Sequence, residues 1–115
     1  MEKKVTLWLD DVRDPYHWIP FSRAIRNKVY WAKSYDEFVN YIKKNGLPDF
    51  ISFDHDLGDY KNGKEYTGYD CAKWLVNYCL DNNLDLPEYN VHSANSVGKE
   101  NIERLLENFK KNRNK

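Results

Sequence analysis

Two aspartates, Asp10 and Asp11, stand directly after the apolar run Val5 to Leu9, and Asp54, His55 and Asp56 stand directly after Phe50 to Phe53. A third polar group, His92, Ser93, Asn95 and Ser96, closes the stretch "EYNVHSANS" at 88 to 96. Carboxylates brought together repel and raise one another's pKa unless a cation neutralises them. Their hard oxygens select Mg²⁺, Mn²⁺ or Ca²⁺ rather than zinc. On an extended segment side chains alternate, which turns Asp54 and Asp56 to one side and His55 to the other. His55 is then either buried beside the site or lining a second wall. The competing explanation treats both acidic strand ends as caps and turn formers. Two independent acidic strand ends argue against coincidence.

The segment "HSANSVGKEN" (92 to 101) reads as the anion half of such a site. Ser and Asn side chains, and the free N–H groups that open a helix, can hold a phosphoryl oxygen. Lys99 either adds charge there or projects into water. His92, beside Ser93 and opposite the acidic groups, is a candidate general acid or phosphate donor. The alternative for it is a structural, hydrogen-bonding histidine.

The elements that must position these residues alternate along the chain. "KVTLWL" (4 to 9), "VYWAK" (29 to 33), "DFISFD" (49 to 54) and "EYNVHS" (88 to 93) are strand-like runs. Ser34 with Glu37 three residues on is a capping box, followed by the stripe Tyr35, Phe38, Val39 and Ile42, and Gly46 and Pro48 end that helix. A second helix is expected from about Thr67 to Asn82, and a last one over "VGKENIERLLENFKK". Pro15 is expected to forbid regular structure, and residues 14 to 28 carry too little helical periodicity to specify a crossover helix. A short or distorted helix is the alternative there. Residues 58 to 66 read as a polar loop. Strands separated by helical patterns imply βαβ units and a parallel sheet, so an α/β fold covered on both faces. In such a sheet ligands sit outside the carboxyl ends of the strands, where every polar cluster above falls. If the first, third and fourth strands are neighbours, the clusters meet in one crevice.

Composition narrows the function classes. At 115 residues the chain holds one compact domain. Eighteen basic against eighteen acidic residues disfavour a duplex DNA binder, which needs basic excess to neutralise phosphates. The basic run "KKNRNK" from 110 is read as a frayed tail. Neither a signal peptide nor a run of the roughly 20 apolar residues needed to span a membrane is present, so no membrane association is expected. Cys71 and Cys79 lie on one expected helix about 12 Å apart, too far for a disulfide. Free thiols and the lack of a leader point to a reduced, cytoplasmic setting.

An acidic pair after the first strand, an aspartate after the third and a serine after the fourth resemble the receiver (CheY-like) domains of two-component signalling. That resemblance implies a flavodoxin-like, three-layer fold, with Asp10, Asp11 and Asp54 holding Mg²⁺, Asp54 as phosphoryl acceptor and Ser93 as the hydroxyl residue. "TGYD" (67 to 70) looks like the start of the receiver helix that follows. The pattern stops after the fourth strand and its helix, so a fifth strand, the lysine that ends it and the ordinary phosphorylation switch are not expected. His55, Asp56 and "HSAN" are not ordinary receiver features either.

Taken together, "LWLDDVRDP", "SFDHDLG", "TGYDCAKWL" and "VHSANSVGKENI" resemble a narrower group, the cyclic-phosphate-processing receiver domain family, over about residues 5 to 105. The resemblance implies a single receiver-like domain over 1 to 115 with a short parallel sheet of about four strands. It also implies a phosphoesterase dependent on Mg²⁺ or Mn²⁺ that processes cyclic phosphates on RNA ends or small nucleotides. Asp10, Asp11 and Asp54 would hold the metal, with Asp56 joining them or orienting a water. Either Asp54 or an activated water would attack phosphorus, Ser93, Asn95 and the helix N-terminus would stabilise its oxygens, and His92 would protonate the leaving hydroxyl. Tyr60 and Tyr66 either close over a base or sugar or sit on a solvated loop. The alternative from a different class is a non-catalytic receiver-like module that binds metal or phosphate and signals to a protein partner the sequence does not identify.

Overall fold

The computed structural model describes residues 4–18 and 27–113. Four strands, β1 (Lys4–Leu9), β2 (Asn27–Ala32), β3 (Phe50–Phe53) and β6 (Glu88–Val91), form one parallel sheet in the order β2-β1-β3-β6. This is the α/β architecture expected, and it makes the first, third and fourth strands of the sheet neighbours. Leu7, Leu9, Ile51, Phe53 and Val91 alternate onto one face and are buried there. The long helices α2 (Tyr35–Asn45), α3 (Gly68–Asn82) and α4 (Ser96–Arg113) cover that core with Phe38, Ile42, Leu75, Ile102 and Leu106. Thr6, Trp8 and Ser52, of opposite parity, are also buried.

Local chemistry sets the element ends. Ser34 Oγ accepts from the Glu37 N–H at 3.2 Å and opens α2. The Glu37 carboxylate bonds the N–H of Lys33 at 3.3 Å, so the expected capping box closes one residue upstream of its usual place. Gly46, at φ 83°, ends the helix as expected. Thr67 and Asp70 form a complete capping box on α3. Pro15 does not forbid regular structure. It is the first residue of a short helix α1 (Pro15–Trp18), where its missing N–H costs nothing. Residues 19–26, the rest of the segment for which no crossover helix was specified, lie outside the described residues.

Two other expectations change. Residues 59 to 66 are a β-hairpin, β4 (Asp59–Lys61) and β5 (Lys64–Tyr66), rather than a polar loop. Asn62 and Gly63 take positive φ of 51° and 78°, the pairing that a two-residue hairpin turn requires. The hairpin is tied to the start of α2: Asp59 accepts from the Tyr35 N–H at 3.0 Å, Lys61 pairs with Asp36, and the Tyr66 and Tyr35 rings lie 4.9 Å apart. The basic tail is not frayed from residue 110, because α4 continues to Arg113, which bonds Asn83 at 3.1 Å. Basic residues in a last helical turn face the negative end of the helix dipole and favour its extension.

Gly68 is the tightest joint of the fold. A Cβ there would stand 1.8 Å from the carbonyl oxygen of Asp54, and the Gly68 N–H donates to the His55 carbonyl at 2.8 Å. The start of α3 thus lies directly against the backbone that ends β3. Gly68→Ala is expected to cost about 3 kcal/mol or more, since the obstacle is backbone and cannot rotate away. Urea denaturation of the purified variant measures this, and a loss under about 1 kcal/mol would show that the contact can relax.

Candidate metal and phosphate site

The register of the sheet builds the site. Trp8, Ser52 and Asn90 are direct partners across β1, β3 and β6. Two residues further along each chain come Asp10, Asp54 and His92, which keep the same parity. The ladder extends far enough to hold them: Asp10 N–H donates to Ala32 O, Asp54 N–H to Leu9 O and His92 N–H to Phe53 O, at 2.9 to 3.0 Å. Asp10, Asp54 and His92 each offer a ligand atom, and these atoms lie within 4.8 Å of one another. Asp10 is fully buried and Asp54 is 5% exposed.

Each member of the row is fixed by a different device. Asp10 Oδ1 accepts the N–H groups of Val12 and Arg13, both at 2.9 Å. Burial raises its pKa, but these two bonds and the neighbouring His92 outweigh burial and hold the carboxyl below its ordinary value. Asp54 Oδ1 accepts from the His55 N–H at 2.9 Å, and its carboxylate also bonds the Ser93 side chain. There burial wins, reinforced by the charge of Asp10, and the pKa of Asp54 is raised. His92 Nε2 lies 2.9 Å from Asp10 Oδ2, and Nδ1 lies 2.7 Å from Ser52 Oγ. Its ring stacks on Trp8 with centroids 4.0 Å apart and planes 6° from parallel. Burial lowers the pKa of His92 against the pull of Asp10. Ser52 Oγ in turn bonds Asn90 Oδ1 at 2.5 Å, so the row below holds the row above.

The residues singled out from sequence divide into two groups. Asp10, Asp54, His92 and Ser93 come together. Asp11 has the opposite parity and is absent from the ligand cluster; its Oδ2 lies 3.3 Å from where a Cβ on Gly58 would stand. Asp56 does not share a side with Asp54. The strand ends at Phe53 and the backbone turns, so alternation no longer applies. Asp56 is instead 60% exposed, with Oδ1 2.8 Å from His55 Nδ1. His55 is neither loose nor in the row: its ring lies in the notch left by Gly98, where a Cβ would come within 2.3 Å.

Asn95 caps α4, accepting the Gly98 N–H at 3.0 Å, while its amide nitrogen lies 3.4 Å from Asp56 and 3.5 Å from His55 Nδ1. Ser96 and Lys99 are exposed on the first turn of α4 and are not in the ligand cluster found among the described residues. Sequence reading missed Arg13, whose Nη1 lies 3.6 Å from Asp10 and 3.9 Å from Asp54, and the supports Trp8 and Ser52. The register rule, applied one residue past each strand, would have placed His92 beside Asp10 and Asp54.

The donor set suits a divalent cation. Two adjacent buried carboxylates need positive charge between them, and Ser52 can accept an Nδ1–H while His92 Nε2 turns to a metal, the usual support for a ligating imidazole. An imidazole in place of a third carboxylate favours Mn²⁺ over Mg²⁺. Cys71 and Cys79 are free, as expected, and both are buried, which pushes both thiols up, Cys79 to about 11. Among the described residues no helix is long and apolar enough to cross a membrane.

A family model described as the cyclic-phosphate processing Receiver domain matches residues 5–108. Among solved structures, a yeast Spc42 trimeric coiled-coil fusion is 17% identical, with a TM-score of 0.60 over 91% of this chain and 63% of that one. NtrX from Brucella abortus is 16% identical, with a TM-score of 0.56 over 98% of this chain and 29% of that one. The chain therefore spans less than two thirds of either, and at these identities the likeness is one of fold. No curated protein matches it.

Opposite pKa shifts in adjacent carboxylates give opposite mutational signs. Asp10, with its pKa lowered, contributes stability that is present above the unfolded-state pKa and lost as pH falls through the folded one. Asp54, with its pKa raised, has a contribution present below the unfolded-state pKa and lost as pH rises through the folded one. At neutral pH, without metal, Asp54→Asn is expected to raise Tm by about 2–6 °C and Asp10→Asn to lower it by a similar amount or more. Thermal melts in chelator check this, and equal signs for the two variants would contradict it.

Proposed function

The chain belongs to the cyclic-phosphate processing receiver domain family, and from that membership we propose that it is a divalent-metal-dependent phosphoesterase opening a cyclic phosphate on an RNA end or small nucleotide. The observation that carries the reading is the row Asp10, Asp54 and His92 at the carboxyl ends of three neighbouring parallel strands. These three would hold Mg²⁺ or Mn²⁺. Bound there, the ion supplies Lewis-acid polarisation of a phosphoryl oxygen.

The chain's own groups supply the rest. Ser93, bonded to Asp54, and the opening turn of α4 line the side on which phosphoryl oxygens would lie. The two histidines take different tasks. His92 has both ring nitrogens engaged and one face under Trp8, which suits a ligand rather than a proton carrier. His55 is oriented through Nδ1 by Asp56 and seated against Gly98, and its Nε2 makes no hydrogen bond among the described residues. His55 is therefore the group assigned to protonate the leaving hydroxyl, with Asp56 as its positioning residue.

Incubation with a panel of 2′,3′-cyclic nucleotides and Mg²⁺ or Mn²⁺, followed by chromatography, tests the activity. Turnover is expected with wild type and not with Asp54→Asn; no turnover across the panel would remove the enzyme reading in favour of a binding module. A second experiment separates the histidines. His55→Gln is expected to slow cleavage of an alkyl-alcohol leaving group about 10²-fold or more and to leave a p-nitrophenyl ester within about threefold, because a good leaving group needs no acid. Equal losses on both substrates would remove His55 from proton transfer.

A further inference from the structure

Between the two carboxylates that the proposed ion would bridge stands a cation of the chain's own. Arg13 Nη1 is 3.6 Å from Asp10 Oδ2 and 3.9 Å from Asp54 Oδ1. Its backbone is fixed at both ends, the N–H to Asp10 Oδ1 at 2.9 Å and the carbonyl to the Trp8 indole N–H at 2.9 Å. Its side chain is 31% exposed, and both ion-pair distances exceed the roughly 2.7–2.9 Å of a tight charge-assisted hydrogen bond. The guanidinium is thus rooted by its backbone beside Asp10 and aimed at both carboxylates.

A guanidinium and a divalent ion cannot both sit on these two oxygens. With the ion in place, two like charges would lie about 4 Å apart in a partly dehydrated cleft. A divalent charge attracts the two carboxylates more strongly than a single guanidinium charge does, so the part-exposed guanidinium gives way. Its planar fork matches the oxygens of a phosphate, and the Asp10 turn keeps its root beside the metal ligands. We infer that Arg13 is the internal counterion of the metal-free site and becomes a ligand of the substrate's phosphate once a divalent ion takes over Asp10 and Asp54. The identity of that anion rests on the phosphoesterase reading; the competition between Arg13 and the metal does not.

Calorimetry on wild type, Arg13→Gln and Arg13→Lys, first with MgCl₂ alone and then with inorganic phosphate at saturating Mg²⁺, tests both halves without turnover. Arg13→Gln is expected to bind Mg²⁺ about 10-fold more tightly and phosphate about 10-fold more weakly than wild type. Arg13→Lys, a point charge without the fork, should stay within about threefold of wild type for Mg²⁺ while losing phosphate affinity. Unchanged or weakened Mg²⁺ binding in a folded Arg13→Gln, or unchanged phosphate binding, would overturn the inference. Should Arg13→Gln not fold, the Arg13 Nε resonance of the wild type decides, assigned by its loss in Arg13→Lys. A shift on adding Mg²⁺ is expected, and no shift would overturn the inference. Cyclic nucleotides left uncleaved alongside these affinity changes would remove the phosphoesterase reading and leave the role of Arg13 standing.

Discussion

Two like charges on one buried rung are the constraint around which this molecule is arranged. The parallel register of β1, β3 and β6 brings Asp10 and Asp54 side by side, and burial strengthens their repulsion. The chain answers asymmetrically. Asp10 receives two backbone N–H groups and the His92 imidazole, and it is stabilised as an anion. Asp54 receives one backbone N–H and a serine hydroxyl, and its charge is left partly unpaid. Arg13 reaches toward both carboxylates, so the remaining tension falls between Asp54 and whatever cation is nearest.

Holding such a row requires rigid neighbours. The rung beneath it, Trp8, Ser52 and Asn90, is a support whose members touch His92 by stacking and by a hydrogen-bonded chain. On the other side, two glycines let helices come unusually close. Gly68 admits the Asp54 carbonyl to the start of α3, and Gly98 admits the His55 ring to the start of α4. Both glycines are needed for lack of a side chain rather than for backbone freedom. Both contacts fall on consecutive residues at the end of β3, which is therefore clamped between two helix N-termini. A carboxylate positioned by a strand end and two helices can carry strain that a loop aspartate would relax away.

Much of this was legible in the sequence, for definite reasons. Apolar runs broken by helical stripes specified the four strands of the sheet and α2, α3 and α4, because burial periodicity is imposed by the core. The receiver-like fold followed from those elements together with the acidic strand ends, and family membership bears it out. The hairpin at 59 to 66 was also written in plain chemistry, the Asn62-Gly63 pair, and went unread because its strands carry no apolar alternation. The membership of the acidic row was harder to read. Alternation was applied within "DHD", where the strand has already ended, and not across strands, where the register continues. Applied across strands it places His92 beside Asp10 and Asp54. Arg13 could not be found by periodicity at all, since its position follows from the turn that Asp10 makes with its own downstream N–H groups.

Different neighbours explain how one chain keeps two histidines close to the same aspartates. His92 lies two residues past Asn90 and faces Asp10, while His55, past the end of β3, is seated against Gly98 of α4 and bonded to Asp56. Each imidazole lies beside a carboxylate, but His92 also stacks on Trp8 and bonds Ser52, whereas His55 packs against Gly98. A module built only to bind an anion would gain nothing from placing the Asp54 carboxyl beside Asp10, because a second negative charge there repels the ligand and costs stability. On the proposed reading a cation joining the row would offset the charge that Asp10 and Asp54 bring together. On that reading the unfavourable carboxylate is the part of the fold that gives the metal its affinity.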